Sequence, residues 1–246
     1  MSSGTRITKA ADDAAGLAIS EKLKANIKSN SQANRNANDG ISMIQTAEGG
    51  LDEVSNILTR LRELSIQSAS DTVGDTERGF TDMEYQNLKQ EVERIAQVTE
   101  FNGTKLLSGE GGELDFQIGI NNDDFQDRIG YDTSLQNAKL DSLGISDIAV
   151  SNKEGAQTAL STIDTAIEKV SGQRASLGAM QNRLISTSNN LQITNENLNA
   201  ANSRIRDVDY AEVAAANAKN NILSQAGTSV LAQANAQGQN ALRLIG

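Results

Sequence analysis

Not one of the 246 residues is proline. No position is therefore obliged to stop a helix, because the ring that clashes with the preceding turn is missing everywhere. Ile44, Ala47, Leu51, Val54, Leu58 and Leu61 recur at 3-4-3-4-3 spacing. This is a heptad seam, the narrow stripe by which one helix packs on another. The spacing predicts a single helix over about 13–70. Gly49 and Gly50 interrupt the stripe, each at about 1 kcal/mol relative to Ala. The 3-4 phase passes through them unchanged, so a continuous helix is expected, with small residues admitting a close neighbour.

DTVGDTERG (71–79) has the composition of a turn. Thr81 and Glu84 form a Thr-x-x-Glu capping box, which predicts a second helix over about 81–99. Its seam is Tyr85, Leu88, Val92 and Ile95. Phe101-Asn102-Gly103 follows as a turn signal. The period then changes to two: in ELDFQIGI (113–120) Leu114, Phe116, Ile118 and Ile120 alternate with other residues, the mark of a half-buried strand. RIGYD (128–132) reads as its returning partner. Short apolar pieces at Leu140, Leu143 and Ile145 lie in an irregular stretch.

Ser151 and Glu154 form another capping box, predicting a third helix over about 152–206 that would extend ~80 Å. From Leu177 its seam runs through Met180, Leu184, Thr187, Leu191, Thr194, Leu198, Ala201, Ile205 and Val208, a mean spacing near 3.44 that favours a left-handed coiled coil. RDVDYAEV (206–213) reads as a joint. The last segment carries Leu223, Ala226, Val230, Ala234, Gly238, Ala241 and Ile245, a spacing of about 3.67 that favours straighter packing.

The fold class expected is mainly α: an elongated antiparallel coiled-coil rod of long helices with a small β-hairpin region and a C-terminal helical tail. Residues 1–210 would form the rod, with the hairpin region at about 104–150. Residues 211–246 would form the tail. Only 3% of residues are aromatic and none is Trp, which fits narrow seams and not a thick core.

A net charge of −10 argues against nucleic acid or an anionic membrane as a partner, since both select basic patches. No apolar run is long enough to span a bilayer, and no secretory signal peptide is visible. Cys and His are absent, which removes triads, thiol chemistry and most zinc sites. A carboxylate pair could still serve a hydrolase, but no pocket is suggested around one. Asp12 and Asp13 fit a helix N-terminus, where carboxylates offset the dipole, better than a metal site. No enzyme activity and no cofactor are expected. Asn102-Gly103-Thr104 matches a glycosylation sequon but reads more simply as a turn. Asn182, Asn189, Asn195, Asn199 and Asn202 would form a solvated or subunit-facing side. Thr187 and Thr194 within the seam would fix register.

Several motifs resemble one family in its own order. SSGTRITKAADDAAGLAIS (2–20), RNANDGISMIQTAEGGLDEVSNILTRLRELSIQSAS (35–70) and TEFNGTKLL (99–107) are similar to the N-terminal part of the helical core of bacterial flagellin. SRIRDVDYAEV (203–213) and ILSQAGTSVLAQANAQGQNALRLIG (222–246) resemble its C-terminal region. The likeness is weaker over about 108–150. Family members begin about thirty residues before the SSG motif, so a segment missing before Ser2 is expected. The mid-chain is too short for large outer domains.

The resemblance implies an exported structural protein that polymerises with copies of itself into the flagellar filament. Export would use the flagellar type III system without a cleaved signal peptide. A cytosolic export chaperone would hold the C-terminal tail, and cap and junction proteins would be further partners. In the family the N- and C-terminal segments pair into an inner coiled coil, so residues 211–246 would be an inner-core helix lacking its N-terminal partner, with Leu223, Ala226, Val230, Ala234, Gly238, Ala241 and Ile245 packing in the filament's inner core. By the same likeness, Arg60, Leu64 and Glu84 match positions that contact the vertebrate Toll-like receptor for flagellin. Leu64 could equally pack in the seam. Two rivals stand beside this reading: a hook–filament junction protein and a cytoplasmic chemoreceptor-like coiled-coil rod.

Overall fold

A computed structural model describes the backbone of residues 4–245, with side chains as far as Ala234. Its elements are helix α1 (Ala14–Ala69), helix α2 (Asp75–Val98), strands β1 (Glu100–Phe101), β2 (Thr104–Lys105), β3 (Glu113–Gln117) and β4 (Arg128–Asp132), a 3-10 turn at Thr133–Gln136, and helices α3 (Leu140–Leu143), α4 (Lys153–Arg206) and α5 (Tyr210–Ile245). The protein is mainly α, with two small antiparallel sheets, as the periodicities predict. It divides into two compact units. One comprises residues 27–196, and the other joins the two ends of the chain, up to Asn26 and from Asn197.

In the unit of residues 27–196 the long helices run antiparallel. Asn34 pairs with Ser188 (2.7 Å), Glu48 and Asp52 with Arg174 (2.8 Å each), Arg62 with Asp164 (2.6 Å) and Asp71 with Lys153 (2.7 Å), so contacts step down one helix as they step up the other. The predicted seam from Ile44 to Leu61 is fully buried. It meets Tyr85 and Val92 of α2 and Ala156, Ala159, Ile163, Ala166 and Val170 of α4. The α4 residues buried here are mostly Ala, and small side chains in a core with the Ile, Leu and Val of α1 let the helices lie close while filling the space between them.

The helix is continuous through Gly49 and Gly50. A Cβ at Gly50 would stand 2.7 Å from Leu107 Cδ1 and 2.9 Å from Thr99 Oγ1, whereas Gly49 faces open space. Gly40 likewise seats the Phe116 ring, 3.1 Å from where its Cβ would be. These glycines are the sites at which the β region closes on α1.

Two expectations are corrected and a third is refined. Helix α2 begins at Asp75, inside the segment expected to be a turn, and Thr81 is an interior residue whose hydroxyl donates to Glu77 O (3.1 Å). What starts the helix early is Arg78, buried to 7% exposure, whose guanidinium donates to Ser68 O and Ser70 O (2.9 Å each) at the end of α1. At the start of α4 the cap is Asn152, not Ser151: its Oδ1 accepts the Gly155 N–H (2.7 Å). Finally, beyond Leu184 the α4 seam continues through Thr187, Leu191, Thr194 and Leu198, but these are half-buried and not fully covered. Ser188 is the buried residue there, at 5% exposure, and it donates to Asn34. Around Asn34 the buried residues of α1 are Asn30, Ala33 and Ala37, small or polar side chains that give leucines little to pack on.

The β region follows the prediction closely. Asn102 and Gly103 both adopt positive φ (50° and 80°) and turn β1 into β2, the backbone that Asn-Gly favours. β3 and β4 pair from Glu113↔Asp132 to Gln117↔Arg128, with Ile129 and Tyr131 buried and Leu114 and Phe116 packed against the core. Ile120, expected inside, is half exposed because β3 ends at Gln117. Residues 146–150 are held by α2: Lys89 Nζ donates to Ser146 O (2.6 Å) and Ile148 O (2.9 Å), and Asp82 accepts the Val150 N–H (2.8 Å). Burial pushes the Lys89 ammonium below the ordinary lysine range.

In the other unit, Thr5 bridges Asp207, Arg6 N donates to Arg206 O (2.6 Å) and Val208 N donates to Gly4 O (3.2 Å). Ser20 donates to Asn202 (2.8 Å), and Arg206 pairs with Glu21 (2.7 Å). Asp13 caps α1 through the Gly16 N–H (2.9 Å). Asp12 accepts from Thr8 N and Lys9 N (3.0 Å each), and these backbone donors, Lys9 first, hold its carboxyl below the usual range. Asp13 thus serves the helix N-terminus as expected, whereas Asp12 closes the turn that precedes it. The joint expected at 206–213 narrows to residues 207–209.

Candidate assembly and recognition surfaces

Helix α5 starts where Asp209 Oδ1 accepts the N–H groups of Ala211 (3.0 Å) and Glu212 (3.3 Å). From Ala215 to Ala234 every described side chain is exposed. Ile222 (66%), Leu223 (58%), Val230 (66%) and Leu231 (64%) are among the most exposed large apolar residues of the protein. Of the predicted stripe, Leu223, Ala226, Val230 and Ala234 lie on this uncovered helix. The side chains of Gly238, Ala241 and Ile245 lie outside the described residues. A stripe of small residues with four large apolar side chains in water has no cover among the described residues of its own chain.

Arg60, Leu64 and Glu84 do not form one surface. Arg60 Nη2 and Nε donate to Glu84 Oε1 (2.9 and 3.1 Å), linking α1 to α2, and Nη1 donates to Glu63 Oε2 (2.9 Å). All three charged groups are about half exposed. The Glu63 hydrogen bond and then that of Glu84 raise the Arg60 guanidinium above its usual value. Leu64 is 2% exposed and belongs to the core. Spacing along the helix explains the split: with Leu61 it continues the buried seam, while Arg60 sits on the α2-facing side. Glu84, assigned to a capping box, serves this ion pair instead.

The arrangement offers no reactive constellation. Among the described residues no group of three or more acidic side chains is placed to hold a metal ion, and no helix is long and apolar enough to cross a membrane. The concave sites are open grooves. Two of them, of about 380 and 490 Å³, flank the β3–β4 connection against α4.

Residues 1–111 match the bacterial flagellin N-terminal helical region, and residues 160–245 match the bacterial flagellin C-terminal helical region. This chain belongs to the bacterial flagellin family. Along its whole length it is 46% identical to a flagellin of Halalkalibacterium halodurans, covering 89% of that protein. It is 44% identical to a flagellin of Bacillus subtilis and 43% identical to the flagellar filament 33 kDa core protein of Treponema phagedenis, in each case over all of this chain and 90% of the relative. Among solved structures, Bacillus cereus flagellin aligns over 64% of this chain and 88% of its own, with 32% identity and a TM-score of 0.56. A Vibrio parahaemolyticus protein provisionally assigned as flagellar hook-associated shares the fold over 80% of this chain and all of its own (TM-score 0.65, 15% identity).

Membership of the flagellin family makes this a structural protein, not an enzyme, and removes the chemoreceptor-like reading. Neither matched region includes residues 112–159, so the β3–β4 hairpin lies in the part of this flagellin that the two family regions leave open, while the α4 side of its grooves lies within the C-terminal region.

Proposed function

We propose that this flagellin is a structural subunit of the flagellar filament, assembling with copies of itself outside the cell. The observation that carries the reading is the uncovered apolar face of α5. A 36-residue helix with Ile222, Leu223, Val230 and Leu231 in water gains little by folding alone, since helices draw most of their stability from packing an amphipathic face. Copies of the same helix supply cover along the whole length. Its Ala and Gly positions admit close approach, and its Gln and Asn side chains hydrogen-bond across tight interfaces or face a wet lumen. The function is mechanical: packed helices transmit torque along the filament.

Electron microscopy of the full-length protein under polymerising conditions tests this. Long filaments with a central channel are expected. A protein that stays dispersed, or caps filaments of another flagellin without elongating them, would instead favour the hook–filament junction role. Export through the flagellar type III system, and a chaperone shielding the α5 stripe before export, follow from the same reading. Cap and junction proteins would meet the filament at its ends.

Recognition by the vertebrate Toll-like receptor for flagellin is a second reading, favoured by the half-exposed Arg60–Glu84 pair bridging α1 and α2. Arg60 and Glu84 would be the contacts, and buried Leu64 would hold their face in place from below. In a receptor reporter assay, Arg60→Ala and Glu84→Ala are each expected to lower potency about tenfold, the effect of losing an interface anchor. Unchanged potency of both variants would remove this role.

A further inference from the structure

Phe125, between β3 and β4, is 93% exposed. It is the most exposed large apolar side chain among the described residues, and the chain around it is built to hold it there. Asp123 Oδ1 accepts the N–H groups of Phe125 (3.0 Å) and Gln126 (2.8 Å). The buried Asp127 carboxylate accepts those of Asn121 (3.2 Å) and Asp123 (3.1 Å). Asp127 O accepts from Ile118 N (2.8 Å) and Gly119 N (3.0 Å), and the Arg128 guanidinium ties Asp124 to Asn122. Half-exposed Ile120 adds apolar surface beside it, and the two grooves lined by Ile118, Ile129, Thr187 and Leu191 run on either side. A rigid aromatic knob between shallow grooves is the form of an interface anchor, because its ordering cost is already met by the fold.

We propose that the Phe125 tip docks on the early part of α1 of a second copy of this chain, at the face formed by Ile19, Lys22 and Leu23. This rests on the filament-subunit reading and names one of its contacts. Two observations select the occupant. First, the surfaces are opposite in charge. Residues 113–132 hold six carboxylates against one basic side chain, Arg128, whereas residues 4–28 hold five basic side chains (Arg6, Lys9, Lys22, Lys24 and Lys28) against three acidic ones. Second, the α1 face is apolar at its centre and basic at its edge. Ile19 is 52% exposed, and Lys22 and Leu23 follow it at i+3 and i+4, on one side of the helix. Lys22 is exposed and has no salt bridge among the described residues. The two patches differ from one another, so the contact is heterologous: each copy keeps a free knob and a free face, and the contact propagates instead of closing on itself.

Seeded elongation of the full-length protein tests the contact. Phe125→Ala is expected to raise the critical concentration about tenfold, the loss of one anchor, with the melting temperature of the monomer unchanged. Lys22→Glu and Gln126→Lys each place like charges in the contact and should weaken elongation, while the double variant should recover it. The chain has no cysteine, so a mixture of Phe125→Cys and Ile19→Cys proteins under mild oxidation gives an independent readout: mixed disulfide dimers should form in preference to either homodimer. Elongation of Phe125→Ala at the wild-type critical concentration, or absence of the mixed dimer, overturns the contact, whether the tip is merely solvated or is covered by another protein. Mixed dimers from a protein that never forms filaments would instead uphold the contact and remove the filament reading.

Discussion

Gly49 and Gly50 are neighbours in one helix, yet only the second is in contact with another part of the chain. Nothing lies within 4 Å of a Cβ at Gly49, so Gly49→Ala is expected to stabilise the protein by about 0.5–1 kcal/mol through helix propensity and a smaller unfolded-state entropy. Gly50→Leu would drive atoms into Leu107 and Thr99 and should cost about 1–3 kcal/mol by overpacking. Urea unfolding midpoints of the two variants should move in opposite directions. A second residue-scale expectation concerns alkaline pH. Tyr85 and Tyr131 are each almost wholly buried, and burial pushes both phenols up to about 12. Their folded values lie above the ordinary value near 10, so the stability they hold is complete below about pH 10 and is lost as pH rises towards 12. Their phenolate absorbance should therefore appear only together with loss of helical circular dichroism. Ionisation of both at pH 10 in a fully helical protein would contradict their burial.

At the scale of elements, α5 stands apart from the other long helices because it is not covered. In the unassembled protein, amides of residues 215–234 are expected to exchange far faster than those of 44–61, and to become protected in filaments. Replacing Ile222, Leu223, Val230 and Leu231 by Ser should abolish elongation while leaving urea unfolding of the remainder unchanged. Full protection of the tail in a dilute monomer would count against this. Elements whose cause is local were legible in the sequence: the Ile44–Leu61 seam, the alternating β3 strand with RIGYD as its returning partner, and the Asn-Gly turn. Elements whose cause is distant were not. The early start of α2 depends on Arg78 reaching back to the carbonyls of Ser68 and Ser70, and the Thr-x-x-Glu pattern that displaced it is occupied by other partners. The burial of Ser188 beside the α4 seam depends on Asn34, more than 150 residues away, and polar pairs leave no hydrophobic period to read. Leu64 showed the limit of motif matching. Its place in the family motif pointed outward, whereas its place in the heptad points inward. No periodic signal marked Phe125, since a residue in a turn has neither face nor phase.

For the whole molecule, the acidic balance is uneven. The β3–β4 hairpin is strongly negative while the start of the chain is mildly positive, which gives copies a preferred sense of approach before any surface touches. The bare α5 helix has a thermal consequence as well. A segment that obtains its cover from other molecules has a melting point that belongs to the solution and not to the single chain, because association enters its stability by mass action. Scanning calorimetry should thus show a transition from residues 27–196 at a temperature indifferent to dilution. A separate heat absorption, present only in polymer, should shift upward as more protein is loaded. Heating would then take the assembly apart before it unfolds the parts, leaving folded cores able to be used again on cooling.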